Sequence, residues 1–141
     1  MKVLMTEYLR IDLDKEEWQC RVCDHTIGSA RANYKEGLLV HDRDPADIHP
    51  SVIDKDSYEF TFSPDGKWVR ILEYYCPSCG TQVEVEYTVP GHPPLYDMEV
   101  DLDALRAQWS TREEVTEPDL GPELVIERHE HGHGHGHGHK H

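Results

Sequence analysis

A small, mostly β domain with long loops, a short C-terminal helix and a disordered His/Gly tail is the fold class this sequence predicts. Three observations carry it. Residues 81–89 (TQVEVEYTV) alternate apolar and polar side chains, the period of a half-buried antiparallel strand. The four cysteines fall into two C-x-x-C pairs, Cys20/Cys23 and Cys76/Cys79, each beside a run that reads as strand. Residues 129–141 hold seven of the eleven histidines, alternating with glycine apart from one Glu and one Lys. Nothing apolar is available there for burial, and glycine maximises backbone entropy.

The 141 residues suit one domain with a tail: residues 1–110 as the zinc-binding β domain and 111–141 as an acidic, then His/Gly-rich tail. Hydrophobic residues make up 37%, with only two Phe, so a core this modest gains from cross-linking. The N-terminal MKVLMTEYLRIDLD lacks the apolar region of a signal peptide, and no run approaches a membrane span. The cytoplasm is therefore the expected location. Thiols stay reduced there, which favours metal ligation over disulfides. The net charge is −14. Residues 1–110 carry 11 Lys and Arg against 21 Asp and Glu, and residues 111–141 carry 3 against 7, so the acidity runs through domain and tail alike. Such a surface repels nucleic-acid backbones and anionic lipid, so neither nucleic acid nor membrane is expected as a partner.

Taken in order, residues 16–22 (EEWQCRV) read as a strand entering a turn at Cys23-Asp24-His25, and 37–42 (GLLVHD) as a short apolar run. Asp44-Pro45 and His49-Pro50 predict an irregular loop between them. Residues 57–62 (SYEFTF) alternate, 63–67 (SPDGK) turn, and 68–75 (WVRILEYY) return, which predicts a β-hairpin running into Cys76. In the 81–89 strand, Val83, Val85, Tyr87 and Val89 share one face. Residues 90–96 (PGHPPLY) form an extended loop. A short helix follows, capped by Asp101, with Leu102, Leu105 and Trp109 on one face.

Cys76-Pro77-Ser78-Cys79-Gly80 is a metal knuckle. Two thiolates spaced by two residues grip one ion from a tight turn, and Gly80 allows the backbone to aim N–H groups at the sulfurs. Cys20-Arg21-Val22-Cys23 has the same spacing, with Asp24 where glycine is expected. Four soft ligands suit tetrahedral, structural zinc, leaving no open position for substrate. The domain is thus zinc-ribbon-like. Its intervening 52 residues exceed the usual roughly 15–20, which an inserted hairpin explains. A redox C-x-x-C, disulfides and iron stand as the less supported alternatives, and His25 as a stand-in ligand less supported than a supporting or surface role.

The order of segments carries a resemblance. A cysteine knuckle after a Trp, an Asp-His pair, LLVHDRDP (38–45), VRILEYYCPSCGTQVEVE (69–86), PPLYD (93–97) and a short Leu/Trp helix together resemble the small gamma subunit of acetone carboxylase and its acetophenone carboxylase relatives, over about residues 16–110. The resemblance implies a cytoplasmic, biotin-independent, ATP-dependent carboxylase of bacterial ketone degradation. In that family a ketone is enolised and phosphorylated, bicarbonate is activated as carboxyphosphate, and a 3-keto acid results. It implies large hydantoinase-like partner subunits in a hetero-oligomer, with ATP and Mg²⁺ or Mn²⁺ on those subunits only, and a small zinc-carrying subunit that holds the assembly together. The sequence departs from the acetone branch in lacking an N-terminal extension and in having a plain C-x-x-C first knuckle instead of a Cys-Gly-His arrangement. Both departures favour acetophenone as the substrate.

Without that resemblance, no catalytic set is legible. There is no Gly-rich phosphate loop and no G-x-S-x-G. Asp42/Asp44 and Asp54/Asp56 offer carboxylates for Mg²⁺, His41 a base, Arg43 a partner for a neighbouring subunit's carboxylate, and Trp68, Tyr74 and Tyr75 an interface. Solvated carboxylates, a structural histidine, a surface arginine and core aromatics explain the same residues more simply. Two rival functions remain at this point. One is a free-standing metal-handling protein that uses the His-rich tail. The other is a zinc-ribbon nucleic-acid binder, which the charge disfavours.

Overall fold

The computed structural model describes residues 1–50, 56–57, 59, 63–113 and 115–116. The first sheet is an antiparallel meander of β1 (Lys2–Leu4), β2 (Leu9–Asp12), β3 (Glu17–Cys20) and β4 (Thr26–Ser29), in that spatial order. Its register explains its core face. Val3 stands opposite Ile11, Ile11 opposite Trp18, and Leu9 opposite Cys20, and all five are buried. Apolar partners on one side of the pleat must cover each other, which is what sets the pairing. The Asp12 carboxylate accepts the N–H groups of Asp14 and Lys15, at 3.1 and 3.2 Å, and so closes the β2–β3 turn.

The second sheet comprises β5 (Leu39–Arg43), β6 (Arg70–Tyr75) and β7 (Gln82–Thr88), with β6 central. This corrects the expected hairpin of 57–62 with 68–75. Leu39 pairs with Tyr75 and Arg43 with Ile71 on one edge of β6, while Arg70 pairs with Thr88 and Tyr75 with Gln82 on the other. Both ladders of β6 are therefore used by β5 and β7. Local turn chemistry at 63–67 suggested a neighbour in sequence, and the non-local strand won. Most of 57–62 lies outside the described residues. The expected irregular loop at 44–50 instead contains a single helical turn, α1 (Pro45–Ile48). Asp44 caps it by accepting the Ala46 N–H at 2.9 Å, and Pro45 occupies the first helical position, where a missing N–H costs nothing.

The short C-terminal helix α2 (Leu102–Trp109) forms where the cap and periodicity place it. The Asp101 carboxylate accepts the N–H groups of Asp103 and Ala104 at 3.1 and 3.0 Å. Leu102 is buried in the core, and Leu105 and Trp109 pack against it. The Glu16 carboxylate, on the β2–β3 turn, pairs with both Arg31 and Arg106, which fastens α2 to the first sheet.

One buried ion network joins the two sheets. Asn33 caps a 3₁₀ turn, Tyr34–Gly37, which turns Lys35 inward. The Lys35 side chain is 1% exposed; its Nζ lies 2.9 Å from Glu86 and 3.0 Å from Asp97. The ammonium also sits 5.8 and 5.3 Å from the ring centroids of Tyr34 and Tyr74. The Tyr74 hydroxyl donates to Glu86 at 3.1 Å, and the Leu95 N–H donates to the same carboxylate. Burial and then the flanking carboxylates push both phenols well above their ordinary range, so they remain neutral donors. This network corrects the expected facing of β7. Val83 is buried, but Val85, Tyr87 and Val89 are exposed, while Glu84 and Glu86 are half-buried. Glu86 turns inward because a buried cation needs it.

Removing the ammonium would strand Glu86 in a buried position. Lys35→Ala should therefore cost about 3–5 kcal/mol of stability, measured by urea unfolding of the metal-loaded protein. Adding Glu86→Gln should cost less than the sum of the two single changes. A Lys35→Ala loss of under about 1 kcal/mol, the range of an exposed pair, would refute the assignment.

Candidate metal centre

The two C-x-x-C pairs occupy equivalent places in two β-hairpins. Cys20 ends β3, and its knuckle leads into β4; Cys76 follows β6, and its knuckle leads into β7. The backbone hydrogen bonds repeat. The Cys20 N–H donates to the His25 carbonyl and the Asp24 N–H to the Cys20 carbonyl, both at 2.9 Å. The Cys76 N–H donates to the Thr81 carbonyl and the Gly80 N–H to the Cys76 carbonyl, both also at 2.9 Å. Each hairpin has a register shift beside its first cysteine, between Trp18 and Gln19 in one and Tyr74 and Tyr75 in the other. Such irregularities re-aim side chains at a strand end. Each also buries an aromatic two residues before that cysteine, Trp18 and Tyr74.

The left-handed residue closes each knuckle. Gly80 has φ +73°, and Asp24 has φ +60°. A side chain in that region is disfavoured, though Asp tolerates it better than most. The cost is met locally: the Arg10 guanidinium pairs with the Asp24 carboxylate and also donates to Gln19 at 3.3 Å. Arg10 is itself buried. The departure from glycine at this position thus has a partner. Aligning CRVCDHT with CPSCGTQ marks Asp24 as the anomaly, but Arg10 lies too far away in sequence for spacing to find it.

The four sulfurs converge. All lie within 4.8 Å of one another. Cys20 Sγ is 3.8 Å from Cys79 Sγ, and Cys23 Sγ is 3.7 Å from Cys76 Sγ, so the short contacts run between knuckles. Four thiolates at about 2.3 Å around a tetrahedral zinc would be separated by about 3.8 Å. The donor set and its spacing therefore fit such an ion. All four cysteines are free thiols, and these contacts are far longer than a sulfur–sulfur bond of about 2.05 Å.

The four positions differ electrostatically. Cys20 and Cys76 are buried, Cys23 is half-buried and Cys79 is exposed. Burial pushes the Cys20 thiol up to about 12 and raises Cys76 as well. Burial acts in the same direction on Cys79, but hydrogen bonds from Thr81 outweigh it and bring that thiol down to about 6. The Thr81 hydroxyl lies 3.1 Å from its sulfur.

Among the described residues, the remaining candidates do not gather into a second site. His25 contributes its carbonyl to the first knuckle, and its ring is not among the clustered ligands. Arg70 pairs with both Asp42 and Asp44, so these carboxylates have a cation of their own chain. Asp54 lies outside the described residues. His41 stands exposed on β5, opposite Glu73. Arg43 forms its two-pronged pair within the chain, with Glu73 at 2.6 and 3.0 Å. Tyr74 is a core residue, Tyr75 is half-buried and donates to Glu73, and Trp68 is 75% exposed. Among the described residues no helix is long and apolar enough to cross a membrane.

Comparison with known proteins accords with this frame. A family described as acetone carboxylase gamma subunit matches residues 3–110, which includes both knuckles and ends just past α2. The acetophenone carboxylase beta subunit of Aromatoleum aromaticum is 50% identical over 107 residues, covering 76% of this chain and 81% of that protein. The acetone carboxylase gamma subunit of Xanthobacter autotrophicus is 30% identical over 95 residues, covering 67% of this chain and 54% of that protein.

The raised thiols set a sign for metal uptake. Cys20 and Cys76 hold their protons at neutral pH without metal, and a thiolate-binding ion must displace them. Apparent zinc affinity should therefore rise between pH 6.5 and 8 and be accompanied by proton release. Chelator competition across that range, with titration calorimetry in buffers of different ionisation enthalpy, checks both. A pH-independent affinity would contradict the buried-thiol reading.

Proposed function

Since this chain belongs to the acetone carboxylase gamma subunit family, we propose that it is a zinc-stabilised, non-catalytic subunit of an ATP-dependent, biotin-independent ketone carboxylase, with acetophenone favoured over acetone. The family match over residues 3–110 carries the reading. The preference for acetophenone is supported by the 50% identity to the acetophenone carboxylase subunit against 30% to the acetone one. In this reading residues 1–110 are the functional domain and residues 111–141 a tail outside it. The location is cytoplasmic.

Zinc, on this reading, is held by Cys20, Cys23, Cys76 and Cys79. It supplies a cross-link and no reaction chemistry, because four thiolates leave no position for substrate. Two are supplied from the first sheet and two from the second, so the ion would lock the sheets at the point where their hairpins meet. ATP, with Mg²⁺ or Mn²⁺, belongs to large hydantoinase-like partner subunits. Phosphoryl transfer needs a cationic phosphate cradle and a held Mg²⁺. Of the acidic pairs considered for that metal, Asp42 and Asp44 are engaged by Arg70 instead.

Two outcomes follow. A structural ion makes binding free energy into folding free energy, on the order of 10 kcal/mol or more. Chelation, or Cys76→Ser, should therefore abolish the cooperative unfolding transition seen by circular dichroism. A quadruple cysteine variant that kept native structure without metal would exclude the structural role. Reconstitution tests the scaffold role. Large subunits mixed without this chain should fail to assemble or turn over, by native mass measurement and ketone-dependent ATP consumption. Full carboxylation by the large subunits alone would sink the scaffold reading, whereas ATPase activity in this chain alone would sink the non-catalytic one.

A further inference from the structure

The sulfurs of the cage pair across it in a fixed pattern. Each short contact joins the first cysteine of one knuckle to the second cysteine of the other: Cys20 to Cys79 at 3.8 Å, and Cys76 to Cys23 at 3.7 Å. Exposure follows the same pattern. The first cysteines, Cys20 and Cys76, are buried, while Cys23 is half-buried and Cys79 is exposed. Each close pair therefore holds one sulfur that solvent reaches more readily and one that it does not. The contrast is widest between Cys79 and Cys20.

This is the arrangement of an attacking sulfur beside a resolving one. An oxidant dissolved in water meets the accessible sulfur first, and a disulfide then needs a second sulfur near enough to attack it. A sulfur–sulfur bond is about 2.05 Å long, so either pair must close by roughly 1.7 Å. Rotation about the cysteine side-chain bonds supplies such a shift while the backbone bonds that close each knuckle stay made, Cys20 to His25 and Cys76 to Thr81. Both pairs also run from the knuckle of the first sheet to that of the second, across 59 and 53 positions of the chain. A disulfide in either place would tie the sheets together where the ion ties them.

We propose that the cage is a reversible redox switch: a peroxide oxidises the exposed Cys79, Cys20 resolves it into a disulfide across the two sheets, and the ion leaves while the fold stays. The proposal rests on the zinc assignment made above. In the first step the Cys79 thiolate attacks one oxygen of hydrogen peroxide. A sulfur–oxygen bond forms, the oxygen–oxygen bond breaks and hydroxide leaves; the sulfur loses two electrons and the peroxide gains them. The Cys20 thiolate then attacks the Cys79 sulfur. The disulfide forms, the sulfur–oxygen bond breaks and a second hydroxide leaves. Two thiolates and one peroxide thus become one disulfide and two hydroxides, and only Cys23 and Cys76 remain as ligands. A second peroxide does the same at Cys23 and Cys76. A dithiol reductant reverses both disulfides by exchange and restores all four sulfurs.

Hydrogen peroxide added to the full-length, zinc-loaded chain tests this without any substitution, so a misfolded cysteine variant cannot confound it. Zinc captured by a chelating dye should appear in step with loss of the first two thiols. With limiting peroxide, a sulfenic-acid trap should label Cys79 before the other three. Trypsin cuts after Arg21, which puts Cys20 and Cys23 in different peptides, and fragmentation between Pro77 and Ser78 separates Cys76 from Cys79. Mass spectrometry should then find Cys20 joined to Cys79, followed by Cys23 joined to Cys76. The oxidised, zinc-free chain should keep a cooperative unfolding transition that the chelated, reduced chain lacks, and dithiol treatment should restore zinc uptake. Zinc retained in excess peroxide, first labelling at Cys20 or Cys76, disulfides within a knuckle, or an unfolded oxidised product would each overturn the switch and leave the zinc reading standing. A chain that takes up no zinc at all would sink that reading and the switch with it.

Discussion

Everything in this domain hangs on the meeting of two hairpin turns. β3 and β6 each deliver a buried cysteine to the same point, and each turn returns a second, more exposed one. The sheets share few other fixed features there. The core cluster draws mainly on the first sheet, and from the second on Tyr74, Cys76 and Val83. Four sulfurs gathered without a bound cation would be a poor way to join two sheets. Buried thiols pack as small apolar groups and hold each other weakly. The spacing between knuckles becomes intelligible once the sulfurs are treated as a ligand cage. It also explains the matched backbone hydrogen bonds, since both turns must present N–H groups and sulfurs in the same way.

The Lys35 network is the second fastening, and it works by opposite physics. A cage of soft sulfurs gains from a cation added from outside, whereas Lys35 brings its own charge inside and must be matched there. Glu86, Asp97 and two tyrosine rings do so. The arrangement also ties down the Pro-rich segment before α2, because Leu95 donates to Glu86 and Asn33 donates to the Leu95 carbonyl at 3.3 Å. A segment that would otherwise be a free loop is thereby placed against the first sheet. The outward turn of Val85 and Tyr87 is the other side of the same choice.

Much of the site was legible because its signals are local. The C-x-x-C spacing, Gly80 and the Asp101 cap each act within a few residues, and the structure places each of them as read; the alternation of 81–89 gave the strand β7 but not which of its faces is buried. What escaped is non-local. β1, β2 and β4 are only three or four residues long, too short for periodicity to stand out, and their existence depends on pairing: β2 and β4 flank β3, and β1 is added on β2. The partner of β6 lies across a long connection, so turn chemistry at 63–67 pointed to the wrong strand. Lys35 looks like any surface lysine until Glu86 and Asp97 arrive from more than fifty residues away. Arg10 and Asp24 show the same limit: the anomaly was visible, its remedy was not.

The division of the cage between two hairpins has a consequence for how the chain is made. The first hairpin is complete by Ser29, but the second pair of sulfurs appears only with Cys76 and Cys79. Until then the emerging chain exposes a two-sulfur half-cage, which any soft ion can visit but none can be held by tightly. Bringing the halves together closes a loop of about fifty residues, and the entropy of that closure grows only slowly with loop length. The long insertion between the knuckles is thus cheap in equilibrium terms. Its effect is on timing: a four-sulfur cage can form only once Cys79 has left the ribosome, so any choice among ions would wait until both hairpins are present.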